Sequence, residues 1–168
     1  MTLGFMQRFK SGEPTHFREK ILAGVHPDNT ELLLRALSGP EKWKVVNTSD
    51  FKHKLHTIRE DKTNRWKAGN KIEMVYRGKN YSILDHFNKG IPELEKCVSV
   101  QKIEIKWESF IGLEKPALNV RIDNGRSLTT EEITRLARND GFKDIEQFCK
   151  WFSKDFTGKI IHWSSMRY

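Results

Sequence analysis

The side chains best suited to chemistry are concentrated in residues 54–70, which read K-L-H-T-I-R-E-D-K-T-N-R-W-K-A-G-N. This segment begins with an amine, an imidazole, a hydroxyl and a guanidinium, from Lys54, His56, Thr57 and Arg59. Strand alternation would place Thr57 and Arg59 on one face, and Lys54 and His56 on the other. Buried strands rarely carry so many donors, so this segment favours a site for an anionic or amide-rich ligand.

Thr57 and Lys54 suggest one reaction. Thr57 is a candidate nucleophile if Lys54 is desolvated enough to act as a neutral base. The alternative is structural, with Thr57 as an ordinary β-branched strand residue and Lys54 as a solvated lysine at a strand edge. The two positions have opposite parity, so they converge only if the segment bends or leaves strand geometry near His56.

Arg59 and His56 are candidate binding residues. The planar guanidinium of Arg59 suits a phosphate, a carboxylate or a base edge. Its alternative role is a structural ion pair with Glu60, with Asp61 or with a carboxylate late in the chain. His56 has no second histidine at i+2 or i+4, so we expect a histidine of the core or cleft and no metal site.

The polar loop that follows contains Arg65, Trp66 and Lys67. A flat aromatic ring between two cations is the combination that stacks a nucleobase and holds its phosphate. Trp66 has an equally good alternative role, which is to plug the mouth of a small barrel. The loop therefore predicts ligand contacts at Arg65, Trp66 and Lys67. For Trp66 the choice between stacking on a base and plugging the barrel stays open.

The composition supports an anionic partner. The 168 residues carry a net charge of +8 and 37% hydrophobic side chains, which indicates one domain with a real core and a basic surface. RNA, DNA or a nucleotide fits this charge, and solubility alone is the alternative. We expect no cofactor, no membrane segment and a cytoplasmic location, since no phosphate-loop, metalloprotease or signal-peptide motif is present.

The periodicity of apolar residues predicts many short strands and a few helices. Strands are expected at residues 3–9, 72–76, 97–107, 118–122 and 159–163, and helices near 14–24, 31–37, 127–138 and 144–152. The apolar phase slips at residues 101–102, which predicts a β-bulge or a bend. This pattern is typical of an α+β fold built around a small curved sheet or barrel with peripheral helices.

Six segments together resemble the ASCH domain, a family of PUA-like β-barrels. They read F-M-Q-R-F, I-L-A-G, K-L-H-T-I-R-E-D, R-W-K-A-G-N-K-I, D-G-F-K-D-I-E-Q-F-C-K-W-F and I-I-H-W. In that family the helix ending in A-G runs almost directly into the K-x-x-T-I-R element. Here about thirty residues intervene, so residues 25–51 are interpreted as an inserted helical segment within a single domain spanning residues 1–168.

The resemblance implies a function and a set of residues. It implies RNA binding in a cleft beside the barrel, with Arg8 of the R-F element on its wall. A bacterial branch of the family hydrolyses N4-acetylcytidine with a lysine, a threonine three residues later and a downstream glutamate. Lys54 and Thr57 match that pattern. The acid position corresponds to Asp140, which is one methylene shorter and one position displaced, and Glu132 is an outside candidate.

Three hypotheses follow. The first is a module that binds RNA, a nucleotide or a nucleoside in a basic cleft formed by Arg8, Lys54, Thr57, Arg59, Arg65 and Lys67. The second is an amidohydrolase acting on an acylated cytidine, with Thr57 as nucleophile, Lys54 as base and Asp140 as the supporting acid. The third is a protein-interaction domain that uses the insertion at residues 25–51 as its contact surface.

Overall fold

The computed structural model describes residues 1–25, 52–77, 84–109, 116–123 and 125–168. These residues form an α+β fold, as the apolar periodicity predicts. Three α-helices are present in this part of the chain: α1 (Phe17–Val25), α2 (Thr130–Asn139) and α3 (Ile145–Trp151). The strands are β1 (Thr2–Phe5), β2 (His56–Arg59), β3 (Glu73–Arg77), β4 (Leu84–His86), β5 (Ser99–Glu108), β6 (Ala117–Ile122), β7 (Arg126–Ser127) and β8 (Phe156–His162).

The strands form two hydrogen-bonded sheets. The larger sheet is antiparallel throughout, in the order β2-β8-β5-β6-β7, and the smaller one has the order β1-β3-β4 with β1 parallel to β3. Among the described residues no strand pairing joins the two sheets into a closed barrel. β1 and β2 are outer strands of their sheets, and the Arg59 side chain bridges them by donating to the Gly4 carbonyl oxygen at 2.8 Å.

One hydrophobic core is shared by both sheets and the helices. The ring of Phe5, on β1, packs against Phe17 of α1 at a centroid distance of 6.3 Å, against Phe87 at 5.9 Å and against Trp163 at 6.3 Å. The pairs with Phe17 and Trp163 have the favourable edge-to-face geometry, and the pair with Phe87 is tilted at 59°. Phe5 therefore connects the smaller sheet to the end of β8 in the larger one.

The helix starts follow from local sequence. Thr129 caps α2, accepting a hydrogen bond from the Glu132 backbone N–H while the Glu132 side chain accepts one from the Thr129 N–H, which is a capping box. The residues expected to face inward on α2, Ile133, Leu136 and Ala137, are buried. Asp144 caps α3 as expected, because its side chain accepts a hydrogen bond from the Gln147 N–H.

The first strand and the first helix are both shorter than predicted. The first strand ends at Phe5 and not at residue 9. The first helix begins at Phe17 and not at residue 14, because Pro14 pairs with Arg8 in an isolated β-bridge and His16 has a φ of 51°. A left-handed residue cannot continue into a helix, so the helix starts just after it. The predicted helix at 31–37, and the insertion apart from Val25, lie outside the described residues.

The predicted bulge in the fifth strand is absent from its pairing with β8, and the alternative, a bend, stays a prediction. The pairing of β5 with β8 runs without a register shift from Ser99↔His162 to Ile105↔Phe156. The apolar phase slips because Gln101, a polar residue, occupies an inward position and is 1% exposed, whereas Val98 lies before the strand and is 46% exposed.

Among the described residues, no helix has the length and apolarity needed to cross a membrane.

Candidate functional site

Lys54 and Asp140 meet in the interior. The Lys54 Nζ lies 2.5 Å from the Asp140 Oδ1, and it also donates to the backbone carbonyl oxygen of Asp140. Their side chains are 1% and 6% exposed. The backbone holds them together, since the Lys54 N–H donates to the Lys20 carbonyl of α1 at 3.0 Å, and the Leu55 N–H donates to the Asn139 carbonyl of α2 at 2.8 Å.

The chain reversal after α2 shapes the wall beside this pair. Gly141 has a φ of 90°, a conformation that side chains rarely tolerate. A Cβ at Gly141 would lie 3.1 Å from the Lys54 Cδ and 3.1 Å from the Phe17 ring. The absence of a side chain at this position therefore lets the Lys54 stem pass close to the backbone.

Burial dominates the electrostatics of the pair. Desolvation lowers the pKa of Lys54 to about 8, although the charge and hydrogen bond of Asp140 partly oppose this shift. Burial also raises the pKa of Asp140, against the attraction of Lys54 and Arg59 and a hydrogen bond from the Ile58 N–H. Because the pKa of Lys54 is about 8, mildly alkaline pH converts its ammonium group into an uncharged amine.

Lys54 also has a structural role. Its contact with the Asp140 carbonyl satisfies a group at the C-terminal end of α2, where Lys20 makes a parallel contact with the Gly141 carbonyl at 2.7 Å. Cations at this end of a helix complement its partial negative charge. The expectation of a solvated Lys54 is therefore wrong, because the residue is 1% exposed and bonded inside the protein.

Thr57 is buried nearby without joining the pair. It lies on β2, is 3% exposed and is paired in register with Ile161. In the described part of the chain, the hydrogen bonds of the Lys54 ammonium go to Asp140, and none reaches the Thr57 hydroxyl. β2 begins at His56, so Lys54 lies outside the strand alternation. The structure therefore brings together two of the three predicted catalytic residues.

His56 connects Asp140 to a residue to which the sequence assigned no role. His56 is fully buried, with Nε2 2.8 Å from the Tyr168 Oη and Nδ1 3.8 Å from the Asp140 Oδ1. Burial lowers the pKa of His56 well below its ordinary value, so the ring is neutral at pH 7. Asn139 Nδ2 donates to the same Tyr168 oxygen at 2.9 Å. No local pattern signals this role of Tyr168, because it depends on a contact across 112 positions.

Arg59 and Arg65 line one surface cleft of about 300 Å³. Glu60 and Trp66 line the same side of the cleft, and its other wall is β1 with the following residue, Met6, whose side chain is 44% exposed. The guanidinium carbon of Arg59 lies 5.4 Å from the centroid of the Phe5 ring, and the Lys54 Nζ lies 5.9 Å from the same centroid. Arg59 and the buried Lys54 therefore lie near the same aromatic ring, Phe5, which also lines the cleft.

The other predicted binding residues take different positions. Trp66 lines the same cleft but is 2% exposed and belongs to the core, so burial favours the plugging role and the stacking role stays a prediction. Asp61 fixes it by accepting the Trp66 N–H at 3.0 Å. Arg8 and Lys67 are exposed, and neither lines the cleft. Arg8 instead donates to the Gly12 carbonyl oxygen at 2.8 Å.

Within the residues that the structure describes, no three His, Cys, Asp or Glu side chains are grouped so as to hold a metal ion. Comparisons with known protein families, curated proteins and solved structures found no match. The geometry of the pair, the histidine and the cleft is therefore the basis for assigning a function.

Proposed function

We propose that this chain is an ASCH-type, PUA-like domain that binds RNA or a nucleotide in the cleft lined by Arg59 and Arg65. The observation that carries the proposal is the placement of these two cations on one concave surface. Guanidinium groups are well suited to phosphate because their planar fork donates two parallel hydrogen bonds. The net charge of +8 adds a general attraction for polyanions.

The arrangement of the sheets is compatible with a PUA-like architecture. β1 and β2 are the outer strands of the two sheets, and the Arg59 side chain bridges them at Gly4. In this proposal the two sheets are the two halves of a barrel that is incompletely closed by main-chain bonds at the β1–β2 seam. The ligand lies over that seam, where the edge of β1 and the two arginines are both within reach.

Titration of labelled single-stranded RNA at low and moderate salt tests the proposal. Affinity should fall steeply with salt, and Arg65→Ala should weaken binding about tenfold, since a hydrogen bond to a charged group contributes about 1.5–3 kcal/mol. Lys67→Ala is the matched control, because Lys67 is an exposed cation of the same loop outside the cleft. Binding that ignores salt, or that responds equally to both substitutions, rejects the cleft as the site.

A second candidate, an amidohydrolase acting on N4-acetylcytidine, is favoured by the contact between Lys54 and Asp140. In this proposal Asp140 stands in for the downstream glutamate of the bacterial branch, and a lysine with a pKa near 8 is suited to proton transfer. The reaction consumes water and releases cytidine and acetate. We expect Thr57→Ser to retain turnover and Thr57→Val to abolish it. Equal cytidine release by wild type and Thr57→Val would exclude Thr57 as the nucleophile.

The third hypothesis, a protein contact through residues 25–51, stays a prediction because residues 26–51 lie outside the described part of the chain. Its test is deletion of this segment. Loss of a protein partner with unchanged RNA affinity would favour it over the first hypothesis.

A further inference from the structure

Three polar side chains form a row across three neighbouring strands of the larger sheet. His56 on β2 is paired in register with His162 on β8, and His162 is paired with Ser99 on β5. Residues directly opposite each other in antiparallel strands project to the same face of the sheet. The two imidazole centroids are 5.3 Å apart. We call His56, His162 and Ser99 the histidine row.

The row contains proton acceptors without partners. Both histidines are fully buried, at 0% exposure. Among the described residues, no hydrogen-bond partner is present for either ring nitrogen of His162, for Nδ1 of His56 or for the Ser99 hydroxyl. A buried polar atom in this condition costs about 1–3 kcal/mol, so four of them at one place are unusual for a purely structural cluster.

A short strap, residues 164–168, closes over the row. The Tyr168 ring lies 5.4 Å from the His56 ring and 6.3 Å from the His162 ring. The Gln101 side chain holds the strap in place, accepting the Tyr168 N–H and donating to the Tyr168 carbonyl, both at 2.9 Å. Tyr168 is therefore fixed at its backbone by Gln101 and at its hydroxyl by the His56 ring.

The hydrogen-bond directions make this closure dependent on the charge of His56. Asn139 Nδ2 only donates, so the Tyr168 oxygen accepts from it. A proton on His56 Nδ1 faces the Asp140 carboxylate at 3.8 Å, which favours the tautomer whose Nε2 accepts the Tyr168 proton. If His56 takes up a second proton, Nε2 becomes a donor and the Tyr168 hydroxyl hydrogen loses its acceptor.

We propose that the histidine row is a buried proton-binding site, and that proton uptake by His56 or His162 releases the strap. The charged groups near the row come from five places in the fold: Lys54 before β2, Asp140 after α2, Arg135 on α2 at 6.0 Å from the Tyr168 ring, Asp123 after β6, and Arg167 within the strap. This proposal goes beyond the proposed function, because none of the three residues of the row lines the cleft of Arg59 and Arg65.

The expected pH dependence follows from burial. Desolvation lowers the pKa of His162 to about 4 and that of His56 well below its ordinary value of 6.5. As the pH falls, these histidines take up protons at a higher pH in the unfolded chain than in the folded chain. The row therefore contributes stability that is present above about pH 6.5 and is lost as the pH falls towards the folded pKa values.

The test is amide hydrogen exchange of the full chain, measured by NMR from about pH 7 to about pH 3.5 and corrected for intrinsic exchange. We expect protection of the Tyr168 amide to fall at least about tenfold while that of the β5 amides is retained. The double variant His56→Gln/His162→Gln should lose this fall. His53→Gln, at an exposed histidine near β2, is the control and should behave like wild type.

If the double variant does not fold, the histidine ring resonances of the wild type provide a second measurement. Their titration midpoints should coincide with the loss of Tyr168 protection. The proposal is overturned if Tyr168 keeps its protection down to global unfolding, if the double variant opens like wild type, or if strap opening and histidine titration occur at different pH values. None of these outcomes changes the RNA affinity expected at neutral pH, so failure of this proposal is distinguishable from failure of the proposed RNA-binding function.

Discussion

The ammonium group of Lys54 lies 2.5 Å from the carboxylate of Asp140, across 86 positions of sequence. Both side chains are buried, and the contact ties the segment before β2 to the end of α2. A buried ion pair adds little net stability compared with apolar residues, but removal of one partner leaves an uncompensated charge. This asymmetry gives the first prediction, and the burial of Lys54 gives the second.

Asp140→Asn should destabilise the protein strongly. The substitution keeps the shape of the side chain and leaves the buried Lys54 ammonium without its counter-charge, which costs about 3–5 kcal/mol of unfolding free energy. Urea denaturation at neutral pH measures the loss. Glu146→Gln, which breaks the exposed Lys150–Glu146 pair, is the control and should have no measurable effect. A loss of unfolding free energy in Asp140→Asn no larger than that in Glu146→Gln would show that the Lys54–Asp140 contact is dispensable.

Raising the pH above neutral should increase the unfolding free energy, because the buried Lys54 loses its proton. Its pKa is about 8 in the folded protein and 10.5 ordinarily, so unfolding takes up a proton in this interval. Stability rises with pH wherever the unfolded state binds more protons. The unfolding free energy of wild type relative to Lys54→Met should therefore increase from about pH 7.5 to about pH 9.5. A difference that is constant or decreasing over this interval would contradict a lowered pKa at Lys54.

Trp66→Ala should mainly lower the stability of the protein. Trp66 is 2% exposed in the core, so truncation is expected to cost about 3–5 kcal/mol. Thermal and urea unfolding measure this loss, with Arg65→Ala as the matched neighbour whose exposed side chain should leave stability unchanged. A Trp66→Ala protein with normal stability and lost RNA affinity would instead restore the base-stacking role.

Gly158→Ala should disturb Arg59 through the backbone. A Cβ at Gly158 would lie 2.3 Å from the Arg59 carbonyl oxygen and 2.7 Å from the Phe156 ring, so β2 and β8 must separate. Such overpacking costs about 1–3 kcal/mol. We expect lower stability and weaker RNA binding in the same variant. Thr157→Ala, at an exposed neighbour on β8, should change neither property.

Several features of the fold were predictable because they depend on neighbours in sequence. The capping box of Thr129 and Glu132 and the cap at Asp144 indicate where α2 and α3 begin. Alternation identifies β6 and β8 to within a few residues. The predicted bulge failed at Gln101 because alternation assumes that inward positions are apolar. This inward glutamine is satisfied by Tyr168, a partner 67 positions away.

The sequence by itself determined which chemical groups are available: an amine, an imidazole, a hydroxyl and a guanidinium within residues 54–59, and an acid at Asp140. Only the tertiary structure decided which of them meet. Strand pairing placed His56 beside His162, and the chain reversal after α2 brought Asp140 to Lys54. Burial then shifted their pKa values, because desolvation and distant charges depend on segments that are far apart along the chain.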